Sequence, residues 1–300
     1  MAASNASVGT GLLSDEILRV QSRIAILKAQ PNYVFRQFVD YKNEIGIEPG
    51  ETIRFLKHDD LPIGTSLSEY TPMPKNVASS SYVDISVAEY GNSVQITRRG
   101  ATAAFRDVVA DYIVRLGRNY VRTLDTILRD SYLASLNEQF AGGAANATGM
   151  ATSAFFTTDE IKDGVETLRT LNIPPLVRGT QEVYVCVAHP HQLRKLRDDV
   201  AWQRAHEYMN VQPIYQGESG MYEGVVFIET TQIPKLVDGN TVDYYTALLL
   251  GADAVGFAES VPMEVTTDGV QDHGRFSSIG WYSIMGSGII NDHIVKLNTR

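Results

Sequence analysis

The stretch that decides the fold runs from Gly100 to Phe140, GATAAFRDVVADYIVRLGRNYVRTLDTILRDSYLASLNEQF. Apolar residues recur in it at three- and four-residue steps: Phe105, Val108, Val109, Tyr112, Ile113, Leu116, Tyr120, Leu124, Ile127, Leu128 and Leu133. That is the period of an amphipathic helix. Arg106, Asp107, Asp111, Arg115, Arg118, Arg122, Asp125, Arg129 and Asp130 fill the other side. Asp111/Arg115 and Asp125/Arg129 stand four apart with the acid first, the better orientation for a helix pair. No proline interrupts the run, and Gly117 weakens it by only about 1 kcal/mol relative to alanine. At about 1.5 Å per residue the helix would reach on the order of 60 Å, longer than a compact domain is wide. A helix that long is expected to act as a spine.

The composition around it is that of an ordinary globular protein: 300 residues, 44% hydrophobic and 20% charged, enough for one large domain or two ordinary ones. No apolar run reaches the ~18 residues of a membrane span, and the nearest, Thr246 to Ala258, is interrupted by Asp253. The start, MAASNASVGTG, lacks the basic residues and apolar centre of a secretory signal. The single cysteine, Cys186, has no internal disulfide partner. A reducing compartment is the default, and the sequons at Asn5 and Asn146 read as chance matches. The net charge of −9, with Arg98/Arg99 the densest basic pair, argues against a sequence-reading nucleic-acid protein. Weak contact with DNA stays open.

In chain order, residues 1–13 are small, polar and aperiodic. Ser14 can cap a helix carrying Ile17, Leu18, Ile24 and Leu27 until Pro31, and residues 1–30 read as an arm, the alternative being an N-terminal helix packed on the core. Alternation marks strands at 52–55 and 83–87, and again at Val94 and Ile96 after a turn at Gly91-Asn92. The segment between the first two, rich in proline and serine, is long for a connection without structure of its own, so it reads as the outer part of a projecting hairpin. AGGAANATGMATS after the spine is a linker by composition. A helix from Asp159 to Leu171 follows, then a strand at Glu182–Ala188 with both faces apolar, which marks it as central and buried. Pro190 opens a helix reaching about Met209. Residues 223–231 form another strand, 246–258 a buried strand or short helix, and 259–300 a β-rich tail that pairs back onto the early strands. The pattern is an α+β fold in two lobes.

His189-Pro190-His191 with His206-Glu207 is the best metal candidate. Proline splits the first pair, however, and no third ligand has motif spacing. A strand-to-helix turn is the favoured reading. Gly217-Glu218-Ser219-Gly220 has Met221 where a nucleophile elbow needs glycine. Gly286-Ser287-Gly288 lacks the third glycine of a dinucleotide fingerprint. Cys186 sits among apolar residues, where a thiol is inert. Asp198-Asp199 and Asn291-Asp292 read as turns. The expectation is of no catalytic, cofactor-binding or metal residue, no cofactor, and no enzyme.

Several stretches in order resemble one family. They are Arg122-Thr-Leu-Asp-Thr-Ile-Leu-Arg129, Tyr184-Val-Cys-Val-Ala-His-Pro190, Leu196-Arg-Asp-Asp with Trp202 and Ala205-His206, and Gly217-Glu-Ser-Gly with Tyr222-Glu-Gly-Val225. Glu229-Thr-Thr231, Leu249-Leu-Gly-Ala-Asp253, and Gly280-Trp281 with Ile290-Asn-Asp292 complete the set. The chain is similar over residues 30–300 to major capsid proteins of tailed bacteriophages with the HK97-like fold, in the podophage N-four-type branch. The resemblance implies an N-terminal arm (1–30), a first peripheral segment (31–49), an extended loop (50–97), the spine helix and linker of the peripheral domain (98–154), an axial domain (155–255), and peripheral C-terminal strands (256–300). It implies an icosahedral shell of pentamers and hexamers around double-stranded DNA. The partners would be the chain itself, with scaffold, portal and decoration proteins and weakly held DNA, and no membrane. Assembly would take place in the host cytoplasm. Two alternatives stay open: an encapsulin-like nanocompartment shell, and a metal-dependent hydrolase centred on His189, His191 and His206.

Overall fold

The computed structural model describes residues 34–42, 52–58, 61–67, 69, 72–73, 75, 80–103, 108–179, 181–208 and 218–300. The expected arm helix lies outside them. In order come β1 (Asp40–Lys42), β2 (Thr52–His58), β3 (Ser80–Ser86), β4 (Ala88–Thr97), α1 (Arg98–Ala103), α2 (Val108–Leu133), β5 (Glu138–Phe140), α3 (Thr158–Thr170), β6 (Leu176–Arg178) and β7 (Gln181–Ala188). The second half holds α4 (Pro190–Arg197), α5 (Val200–Tyr208), β8 (Glu218–Tyr222), β9 (Val225–Glu229), β10 (Lys235–Val237), β11 (Asp243–Leu250), β12 (Val255–Gln271), β13 (Phe276–Ile289) and β14 (Ile294–Thr299). One sheet runs β1-β12-β13-β4, and a larger one β5-β14-β11-β7-β9-β8 with β10 and β6 at the flanks of β11 and β7. The strands β2 and β3 form a separate ladder.

The spine exists, but it is shorter than its sequence pattern. α2 has 26 residues, about 39 Å at the standard rise. Ile113, Leu116, Tyr120, Val121, Leu124, Leu128 and Tyr132 are its buried stripe, lying on the four-stranded sheet. There Tyr120 meets Trp281 edge-on at 5.3 Å, and the Trp281 indole donates to Asn119 Oδ1 at 2.9 Å. The expected run to Phe140 stops at Leu133 because that carbonyl is taken by the Lys296 ammonium at 3.1 Å, a cation at a helix C-terminus. Ser135 then turns the chain by donating to Asp292 Oδ1 at 2.6 Å, and β5 joins β14 in parallel.

The expected Asp125/Arg129 pair is absent. Asp125 is 1% exposed and accepts the backbone N–H groups of Val34 at 3.1 Å and Phe35 at 3.4 Å. Arg129 instead pairs with Asp130 at 2.6 Å and donates to Gln232 O at 2.9 Å. Burial pushes the Asp125 carboxyl up to about 6, with the two N–H donors pulling the other way. Together with the Tyr132 hydroxyl, which donates to Phe38 O at 2.9 Å, this fastens residues 34–38 across the spine.

β7 is central, and its two faces enter different cores. Val185 and Val187 join the core under α2. Tyr184, Cys186 and Ala188 join a second core with α3 and α4. Other expectations need correction. Gly91-Asn92 is no turn: β4 runs through it, and Gly91 is needed because a Cβ there would lie 2.8 Å from Trp281 O. The helix opened by Pro190 breaks after Arg197, since Asp199 accepts from the Ala201 N–H at 2.9 Å and starts a new helix. Residues 246–258 are two strands, separated where Asp253 adopts a left-handed φ of 52°. The tail divides: β13 pairs with the expected early strand β4, β12 pairs with β1, which the sequence reading did not find, and β14 enters the larger sheet, while β2 and β3 pair only with each other. The 141–153 stretch packs rather than links. Ala141, Met150 and Ala154 form a small cluster. Arg300, ion-paired with buried Asp238 at 2.6 Å, donates to Ala147 O and Met150 O.

Candidate functional site

The β2/β3 hairpin is the part of the subunit whose surface its own core does not explain. Alternation places Ile53, Phe55 and Ile85 on one face, and all three are buried with Ala258 in a cluster of their own. The ladder keeps register from Thr52↔Ser86 to His58↔Ser80. On its other face Arg54 grips Asp84 through two hydrogen bonds of 2.8 and 3.0 Å, which hold that carboxyl below its usual range. The Arg54 guanidinium also covers the Tyr82 ring at 3.7 Å. The floor beneath the hairpin is glycine. A Cβ at Gly286 would fall 2.1 Å from Ser86 O, at Gly256 3.0 Å from Phe55, and at Gly288 3.3 Å from Ile85. Gly286 and Gly288 are two apart on β13 and so share a face. The bare strand lets the hairpin root sit against backbone.

Beyond the root the exposure reverses. Leu56 (56%), Tyr82 (56%), Leu61 (62%), Ile63 (94%), Leu67 (54%) and Met73 (70%) are bare. Scattered exposed apolar residues are ordinary, but a run of them on one projecting segment marks a contact surface. Sequence reading found the hairpin and read its outer part as polar. It missed these side chains because their spacing follows no secondary-structure period. It also took Gly286-Ser287-Gly288 only as a failed fingerprint, although glycines at i and i+2 on a strand signal close approach.

The candidate chemical residues have structural work. His189 Nδ1 accepts the His191 N–H at 3.1 Å, and its own N–H donates to Gln192 Oε1 at 3.3 Å, a reciprocal cap on α4. Burial, then the neighbouring His191, hold its pKa down against the pull of Glu229. Both imidazoles stack on Tyr245, at 4.6 and 4.8 Å. His206 falls in α5, but its side chain is outside the described residues. Among the described residues no group of three or more His, Cys, Asp or Glu could hold a metal ion. Cys186 is fully buried, and burial drives its thiol well above the usual range. Asp199 accepts from the Thr158 hydroxyl at 2.7 Å and its N–H at 3.1 Å. Asp292 accepts from Ser135. A cleft of about 610 Å³ flanks the hairpin root between Lys42, Lys57, Asp253 and His293. His293 is engaged there, its Nδ1 2.7 Å from Ala252 O. No described helix is long and apolar enough to cross a membrane.

Comparison with known proteins gives a consistent answer. No curated protein sequence matches the chain. The capsid of Ralstonia phage GP4 superposes with a TM-score of 0.70 at 17% identity, over 87% of this chain and 86% of that one. The cyanophage Pam1 capsid gives 0.70 at 16%, over 87% and 88%. The head of Helicobacter pylori bacteriophage KHP40 gives 0.66 at 16%, over 87% and 86%. These likenesses show the fold. The family model described as phage capsid protein matches residues 125–291, from the middle of the spine to the end of β13 and so more than half of the chain. On that match the chain belongs to the phage capsid protein family.

Proposed function

We propose that the subunit repeats as pentamers and hexamers in an icosahedral shell around double-stranded DNA, and that the projecting hairpin lies across a neighbouring copy. The observation that carries this is the contrast between the root in β2 and β3, buried to a few per cent on a glycine floor, and the segment that joins them, where Ile63 is 94% exposed. Burying those side chains on a second subunit would contribute roughly 25 cal/mol per Å² of apolar surface removed from water. Contacts that lead head-to-tail from one copy to the next close only when their rotations add up, as they do in a shell.

The proposed division of labour follows the capsid resemblance: an arm at 1–30, a first peripheral segment at 31–49, the extended loop at 50–97, spine and connection at 98–154, an axial domain at 155–255, and peripheral strands from 256. β14 lends its pairing to the larger sheet. Scaffold, portal and decoration proteins are the further partners in this reading, the host cytoplasm is the place of assembly, and no catalysis is involved. The family match disfavours both the nanocompartment and the hydrolase readings. Expression with its scaffold, followed by sedimentation and electron microscopy, tests the reading. Megadalton shells are expected, and a stable monomer under every assembly condition overturns it.

A further inference from the structure

The outward face of α2 carries arginines that no described carboxylate pairs, Arg115 lying only over the Tyr112 ring at 5.8 Å. Arg115, Arg118 and Arg122 are all exposed. Spaced three and four residues apart, they form one line along the helix, about 10 Å long at the standard rise. Among the described residues no carboxylate lies within ion-pair distance of any of them; the same holds for Arg169, Arg194 and Arg204, but those three stand on three different helices and form no line. Asp111 stands four residues before Arg115 and yet does not pair with it. Like charges at this spacing destabilise a helix. In a chain of net charge −9, acids to relieve them were abundant.

We propose that this arginine line is the subunit's contact for the phosphate backbone of the enclosed duplex, an inference that rests on the DNA-enclosing shell proposed above. A 10 Å line faces about six phosphate charges, since duplex DNA carries one per ~1.7 Å of axis. Guanidinium groups bind phosphate in a forked, two-bond geometry. The line would grip any sequence, because backbone contacts carry no base information. Three arginines per subunit bind weakly, and repetition over the shell supplies the avidity.

The test compares wild type with Arg115→Gln/Arg118→Gln/Arg122→Gln, and with a control that removes three other exposed arginines, Arg169→Gln/Arg194→Gln/Arg204→Gln. Anisotropy of a short fluorescent duplex is titrated with soluble subunits at graded KCl. The slope of log affinity against log salt is expected to be shallower by about 2.7 in the first variant and unchanged in the control, with shell yield equal in all three. Undetectable wild-type binding at low salt, or an unchanged slope in the first variant, overturns the proposal. So does a first variant that keeps its circular dichroism but fails to assemble, which would make the line an interface with a protein. Nuclease-protected DNA in wild-type particles tests the shell reading separately: its absence would sink that reading whatever the slopes show.

Discussion

Gly286→Ala tests the seating of the hairpin on its glycine floor. The new methyl would lie 2.1 Å from Ser86 O, where ordinary contact begins at 3.4 Å. β13 is held on both sides, by β12 and β4, so β3 must retreat, by about 1 Å in a close-packed interior. A gap of that size forfeits a quarter to a half of a contact's attraction. Ile53, Phe55 and Ile85, at 5%, 1% and 3% exposure, each gain about 1.5–3 kcal/mol from burial. Losing a third of that gives about 2 kcal/mol, within the range of overpacking substitutions. The loss should fall on the hairpin, because Ile53, Phe55 and Ile85 cluster with Ala258 apart from the main cores. Hydrogen exchange should therefore show faster amides at 52–58 and 80–86 with α2 and β7 unchanged, and particle yield should drop. Gly64→Ala is the control: nothing lies within 4 Å of its Cβ, and it should be neutral. Unchanged hairpin protection with full particle yield in Gly286→Ala would refute the reasoning.

Replacing residues 59–79 by Asn-Gly should leave a folded subunit, since that dipeptide closes a two-residue hairpin between His58 and Ser80 and loop length costs little. Sedimentation should then show failed or irregular particles, and normal shells would remove the outer hairpin from the assembly surface. Asp125 has a carboxyl pKa raised by burial from 3.8 to about 6. Its contribution to stability is therefore full below about pH 4 and lost as pH rises through 6, by up to about 3 kcal/mol. Urea unfolding at both ends of that window should show the slope in wild type and a flatter one in Asp125→Asn; equal slopes would refute it. His189→Gln/His191→Gln should remove the cap on α4 at a cost of about 1 kcal/mol while shells still form. Elemental analysis that found stoichiometric zinc lost in the variant would reverse the structural assignment.

The legible parts of the sequence were those with a strong local period. The α2 stripe, the two apolar faces of β7 and the alternation of β2 and β3 all announce themselves within a few residues. What escaped depends on partners far along the chain. Asp125 lies at the margin of the helix stripe, and only two N–H groups some ninety residues earlier decide that it turns inward. Asp199 breaks a helical run because it also caps α3 through Thr158, 41 residues away. Gly91-Asn92 has turn chemistry, but its neighbour across the ladder, Trp281, requires a residue without a side chain. The capsid identity was legible from short stretches in fixed order, whereas the apolar outer hairpin had no period to betray it.

The position of β14 has a consequence for how the subunit comes into being. It lies between β5 and β11, pairing Lys296 with Glu138 and Leu297 with Ala247, so the larger sheet cannot close until residues 294–299 have left the ribosome. Until then β11 presents an open edge that ends in the apolar run Ala247–Leu250, the kind that pairs with other chains. Synthesis of many copies side by side thus runs a race between intramolecular closure and strand exchange. A subunit that assembles with its own copies becomes competent to do so only after β14 has sealed the edge most prone to pair wrongly.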